Sequence, residues 1–156
     1  MDARRQPRGL ASLRESRMKI LFAVDGSDYT RRALDYLATH AWLRRDNALT
    51  VFAVVLRVPH RAAAMAGPSL THAYYEDDAE VALRPVREVF AAGGTQAEFS
   101  WEIGHPAEAI ANKATLGGFD LVIMGSHGHG ALANVVLGSV ATKVLALCKV
   151  PVLLIR

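Results

Sequence analysis

The sequence predicts a three-layer α/β/α fold built on a five-stranded parallel sheet, of the Rossmann-like kind. Three observations carry that expectation. Five short apolar or alternating runs recur along the chain, and residues at helical spacing separate them. A glycine-rich stretch, MGSHGHGALANVVLGS (124–139), follows the fourth run where such folds place their ligands.

The elements follow in order. KILFAV (19–24) is a continuous apolar run, as a strand buried on both faces requires, and it ends at Asp25-Gly26. Ala33, Leu34, Leu37, Ala38 and Ala41 recur at helical spacing, with Ser27 or Asp28 suited to cap the start. ALTVFAVVL (48–56) reads as a second buried strand. Residues 57–75 show no period and are expected to form a surface loop. Ala79, Ala82, Leu83, Val86, Val89 and Phe90 make a second helical face, in which Pro85 predicts a kink or a restart.

AEFSWEI (97–103) alternates polar and apolar residues and suits an edge strand. Gly104-His105-Pro106 predicts a turn and then a helix, with proline near its first position, running to about Ala114. FDLVIM (119–124) is the fourth strand, and a last helix spans Val136 or Gly138 to Leu147. VPVLLIR (150–156) is the fifth, with Pro151 near its start, where a missing N–H is tolerated.

Composition bounds the possibilities. At 156 residues, 51% hydrophobic and 21% charged, the chain suits one globular domain. No apolar run reaches the roughly 20 residues that span a bilayer, so no membrane association is expected. A single cysteine, Cys148, excludes an internal disulfide, and cytoplasmic location is the default. The net charge of +3 resides in residues 1–17, where five arginines face Asp2 and Glu15, leaving the remainder neutral. The basic balance thus describes an extension, expected to be disordered, and not a nucleic-acid-binding face. The domain proper is expected over 18–156.

The glycine-rich stretch points to an anion. Glycines let main-chain N–H groups approach a ligand, and a following helix N-terminus sets a positive dipole behind them. From Leu121 to Arg156 the chain carries no acid to repel it, and Ser126, Ser139 and Thr142 add hydroxyls. No core-packing purpose is evident for these glycines. GxxxxGK[ST] is absent, and the loose GxGxxG/A match at Gly128, Gly130 and Ala133 follows the wrong strand for a dinucleotide site. His127 and His129, with no third ligand in view, read as loop residues rather than a metal site. Cys148, Trp42 and Trp101 are most simply packing residues.

The spacing Gly125-x2-Gly128-x9-Gly138-Ser139 resembles the ATP-binding branch of the universal stress protein family, whose signature is G-x2-G-x9-G-[ST]. The resemblance extends to KILFAVDGS, Gly104-His105-Pro106, DLVIMGSHGHG and KVPVLLIR, covering 18–156 but for the uninformative middle loop. It implies the strand order 3-2-1-4-5, which sets strands one and four side by side. By position it implies an ATP site, with Mg²⁺ reached by Asp25 only through the nucleotide. Asp25 would face the ribose or that metal, Ala23 would line the floor, and the Val54 main chain would meet adenine. Met124 and Gly125 would lie under the sugar, Ser126, His127, Gly128 and His129 would wrap the phosphates, and Gly138, Ser139 and Val140 would close over them. Any charge the two histidines offer to phosphate would depend on pH. The closing strand 150–156 would pair with its copy in a homodimer.

The function implied is a nucleotide-dependent regulator or sensor in stress response, acting on an unidentified protein partner. The alternative is a slow ATPase or phosphotransfer enzyme at the same site. Catalysis needs a placed base or nucleophile, and Asp25 is the one carboxylate expected in the crevice, so no efficient enzyme is expected. A phosphoacceptor fails because the fourth strand ends in Met124-Gly125 rather than an aspartate. A flavin site lacks an aromatic residue in the loop to hold a ring.

Overall fold

A computed structural model describes residues 17–130 and 136–156. The arginine-rich segment is thus outside the described residues but for Arg17, as is 131–135 of the glycine-rich stretch. The strands are β1 (Lys19–Val24), β2 (Ala48–Val55), β3 (Glu98–Ile103), β4 (Leu121–Gly125) and β5 (Val152–Ile155). The helices are α1 (Asp28–Thr39), α2 (Ala41–Arg44), α3 (His60–Ala66), α4 (Pro68–Ala92), α5 (Pro106–Leu116) and α6 (Ser139–Leu147). All neighbouring strands are parallel, in the order β3-β2-β1-β4-β5 that the family resemblance implies. No helix among the described residues is long and apolar enough to cross a membrane.

Burial on both faces explains the unbroken apolar strands. Alternate side chains of a strand point to opposite faces, so Ile20, Phe22 and Val24 enter one core with α1 and α4. Leu21 and Ala23 enter the other, with Ile110 of α5 and Val144 of α6. Each fully buried leucine or phenylalanine contributes about 1.5–3 kcal/mol. At the edge, β3 sends Phe99, Trp101 and Ile103 to the first core and keeps polar residues on its other face.

The structure corrects several local expectations. Residues 57–75 are no loop: α3 and the first two turns of α4 occupy most of them. These turns bury almost nothing before Tyr75, so no apolar period marks them. Their stops are chemical instead, with Gly67 at φ +82° ending α3 and Pro68 opening α4. The Tyr75 hydroxyl accepts the Val58 N–H at 3.0 Å and ties the segment to the end of β2. Nor does α4 restart at Pro85; it is continuous from Pro68 to Ala92. Lacking an N–H, Pro85 leaves the Val81 carbonyl without its helical donor, and Gly26 at φ +77° packs against that carbonyl.

The first helix is also interrupted. It ends at Thr39, and α2 follows after His40. Arg44 of α2 turns back to donate to the carbonyls of Leu37 and Ala38, supplying the cation that the last turn of α1 lacks. Trp42 is 59% exposed rather than packed, whereas Trp101 does lie against the core. Cys148 is only partly covered.

Tyr75→Phe removes the acceptor of the Val58 N–H and is expected to cost about 1 kcal/mol in urea unfolding. Met65→Ala, at a side chain 90% exposed, is expected to stay within about 0.5 kcal/mol.

Candidate functional site

The pairing of β1 with β4 (Ile20 with Leu121 through Ala23 with Met124) brings two chain ends to one crevice at the carboxyl edge of the sheet. From β1 come Asp25, the turn at Gly26, and the N-cap of α1 at Ser27, whose hydroxyl accepts the Thr30 N–H at 3.3 Å. From β4 comes the segment Gly125–Gly130, and from its far side Gly138 and the start of α6.

Close approach, not conformational freedom, requires the first of these glycines. A Cβ at Gly125 would lie 2.6 Å from the Tyr29 Cβ, so β4 ends pressed against the first turn of α1. At Gly138 a Cβ would lie 3.0 Å from the His127 Cα and 3.2 Å from the Ser126 carbonyl oxygen. That carbonyl accepts the Gly138 N–H at 2.9 Å and draws the two ends of the glycine loop together. At Gly128 a Cβ would meet Asp25 Oδ2 at 2.8 Å. The expectation that these glycines have no core-packing purpose is therefore corrected at Gly125 and Gly138, which pack against main chain. Of the four, Gly130 alone has open space where its side chain would be.

The result is a cavity of about 420 Å³, within the usual range for a small-molecule site. Ala23, Asp25, Val54, Met124, Gly125, His127, Gly128, His129, Gly138, Ser139 and Val140 all line it. Ser126 does not. It is completely buried, its hydroxyl 2.9 Å from His127 Nδ1, and its part is to hold the loop. Thr142 likewise stays out, donating its hydroxyl to the Gly138 carbonyl at 2.9 Å.

Several lining residues had escaped the sequence reading: Val24, Thr30, Phe52, Pro106, Ile110, Gly130 and Ala141. Two had a signal. Phe52 lies two residues before Val54, on the same face of β2, and Thr30 stands at the cap spacing from Ser27. Pro106 and Ile110 follow from the i, i+4 face of α5 only once that helix is placed beside β2.

The cavity has two ends of different chemistry. Phe52, Val54, Pro106, Ile110 and Met124 make an apolar wall. Asp25, Thr30, the loop from His127 to Gly130 and the N-terminus of α6 supply the polar part of the lining. The N-cap of α6 is Gly138, which has no side chain to offer, and the first internal bond of the helix end runs from the Thr142 N–H to the Gly138 carbonyl. The N–H groups of Ser139, Val140 and Ala141 precede that bond and so face out of the helix end.

Among the described lining residues Asp25 is the one carboxylate, and none is a lysine or arginine. His129 Nε2 lies 2.7 Å from the Asp25 carbonyl oxygen, which can only accept, so Nε2 carries the proton. The His127 ring packs against Tyr29 at 4.8 Å, and the Arg32 guanidinium covers Tyr29 at 4.9 Å. Among the described residues no three histidine, cysteine or acidic side chains gather to hold a metal.

With this geometry in place, the chain matches known proteins over most of its length. The sequence model of the universal stress protein family matches residues 16–156. Universal stress protein YxiE of Bacillus subtilis is 33% identical, over 88% of this chain and 98% of its own. The structure of the hypothetical protein MJ0577 superimposes with a TM-score of 0.75 at 25% identity, covering 88% of this chain and 94% of that one. A universal stress protein crystallised in complex with cAMP shares the fold, with a TM-score of 0.59 at 24% identity over 89% and 96% of the two chains.

The glycine contacts have a stability signature. Gly125→Ala drives a methyl into Tyr29 and is expected to destabilise by about 1–3 kcal/mol. Gly130→Ala, into open space, is expected to change stability by no more than about 0.5 kcal/mol. Thermal and urea unfolding of the two variants checks the contrast.

Proposed function

The chain belongs to the universal stress protein family, and from that premise we propose that it is an ATP-binding, nucleotide-dependent regulator in stress response. One observation carries the reading: a single cavity joins an apolar wall to a glycine loop and the start of α6 at its Gly138 N-cap. A nucleotide has the matching two ends, a flat apolar base and an anionic phosphate chain.

In this reading the base lies against Phe52, Ile110 and Met124, and the main chain of Val54 meets its edge. The phosphates lie over Gly128, His129 and the N–H groups of Ser139 and Val140, with Gly138 allowing the loop to close on them. Backbone donors aimed at an anion each strengthen through its charge, by about 1.5–3 kcal/mol per bond. Asp25 fits a magnesium ion brought by the phosphates, since Mg²⁺ is commonly held by one or two carboxylates and substrate oxygens. That ion would offset phosphate charge at a site whose described lining holds no lysine or arginine.

The same residues favour a binding module over an efficient enzyme. Asp25 Oδ1 is engaged by Ser27 and Thr30, and the remaining lining groups offer histidines and hydroxyls without a second carboxylate. Turnover is expected to be slow at most. The output would be the position of the glycine loop, read by a partner protein. We further propose that β5, a partly exposed apolar edge, pairs with its copy in a homodimer.

Nucleotide released on denaturing the purified protein, identified by chromatography, is expected to be an adenine nucleotide. Stripped protein is expected to bind ATP more tightly with Mg²⁺ than with EDTA, and a Gly128→Val, Gly138→Val variant to lose at least about tenfold in affinity. Absence of ATP, ADP and AMP binding at millimolar concentration would overturn the nucleotide reading. Many turnovers of ATP per minute would favour the slow-enzyme alternative instead. Sedimentation is expected to give twice the chain mass, and a monomer would remove the β5 pairing.

A further inference from the structure

We propose that Thr30 is the positioning residue of this site: through the cap of α1 it holds the Asp25 carboxylate with one oxygen bound inside the protein and the other turned to the ligand. The inference rests on the nucleotide reading above and adds to it the residue that aims its one lining carboxylate.

The geometry is a closed set of bonds. Asp25 Oδ1 accepts from the Ser27 N–H at 2.9 Å and from the Thr30 hydroxyl at 2.8 Å. The Thr30 oxygen in turn accepts the Asp25 N–H at 3.1 Å. A hydroxyl has one proton and two lone pairs, so this assignment uses the proton on Oδ1 and leaves the direction of every bond determined. Ser27 and Thr30 are each 4% exposed, whereas Asp25 itself is exposed. The bonds thus fasten an exposed carboxylate to buried partners.

The consequence concerns Oδ2. Rotation of an aspartate carboxylate about its last torsion is broad when nothing restrains it. Two donors on Oδ1 remove that freedom and leave Oδ2 on the cavity side, next to Gly128. A ribose hydroxyl or a phosphate-bound Mg²⁺ meeting Oδ2 then finds the acceptor already placed, and binding does not have to order it. The stretch Asp25-Gly26-Ser27-x-x-Thr30 accordingly does two things at once. It starts α1, and it sets the angle of the carboxylate.

The test is a double-mutant cycle on nucleotide affinity, measured on the full chain by calorimetry with Mg²⁺ and with EDTA. Thr30→Val removes the hydroxyl and keeps the shape; Thr30→Ser keeps the hydroxyl. Thr30→Val is expected to weaken ATP binding about tenfold, and Thr30→Ser to stay within about twofold of the parent. In an Asp25→Asn background, Thr30→Val is expected to cost nothing further, because no carboxylate oxygen remains to be aimed. Should Thr30→Val fold poorly by circular dichroism, Thr30→Ala takes its place in the same cycle. Parent-like affinity in the hydroxyl-free variant would overturn the proposal. So would a loss fully additive with Asp25→Asn, which marks a structural role alone. A parent that binds no nucleotide sinks the functional reading itself, and is thereby distinct from either result. The EDTA arm separates the acceptor's two uses: a Thr30 effect that persists without Mg²⁺ assigns Oδ2 to the ribose, and one that vanishes assigns it to the metal.

Discussion

The parallel pairing of β1 with β4 is the constraint on which the rest of the site depends. In a chain that alternates strand and helix, right-handed crossovers put strand one beside strand two, and the sheet must then reverse direction to continue. The reversal occurs between β1 and β4, so the chains leaving these two strands diverge to opposite faces of the sheet and open a crevice between them. Asp25 and Gly125 come to its two sides because the register puts Ala23 opposite Met124. A shift of one residue would have turned each strand's side chains to the wrong core.

Within that crevice the glycines do structural work before any ligand arrives. Gly125 lets β4 end against Tyr29, and Gly138 lets the returning chain touch Ser126 and His127. A main-chain bond and two tight contacts therefore draw the described ends of the loop together. None of the four has a positive φ, which is confined to Gly26, Gly67, Gly94 and Gly118 among the described glycines. Spacing in a glycine signature can thus record how near two chain segments come, as well as where a ligand's anion lies.

This explains what was legible in the sequence and what was not. The strands were legible because burial on both faces writes an unbroken apolar run, and β3 because its half-covered face writes alternation. The ends of helices with a chemical stop, such as Pro106 for α5, were legible too. The first turns of α4 were not, since a helix that overhangs the core carries no apolar period there. In the site, residues named by the family resemblance line the cavity, but Ser126 does not, because its hydroxyl and carbonyl are consumed holding the loop. Thr30 and Phe52 were missed for the opposite reason: each reads as ordinary cap or core until the crevice beside it is known.

A site of this construction has a particular coupling between binding and shape. Its described lining holds no lysine or arginine, so in the proposed reading attraction for an anion falls to main-chain N–H groups and the end of α6. Point charges on flexible side chains can follow a ligand as it moves; main-chain donors cannot. They act only while Gly138 and the loop keep their contacts with Ser126 and His127. In the proposed reading, occupancy and loop closure are then one equilibrium, and by linkage anything that holds the loop closed raises nucleotide affinity by the factor with which nucleotide holds the loop. His129, bonded from the loop to the Asp25 carbonyl, ties that same movement to the end of β1. A partner that binds the closed loop would therefore sense nucleotide without touching it, which is what a regulator needs and a catalyst does not.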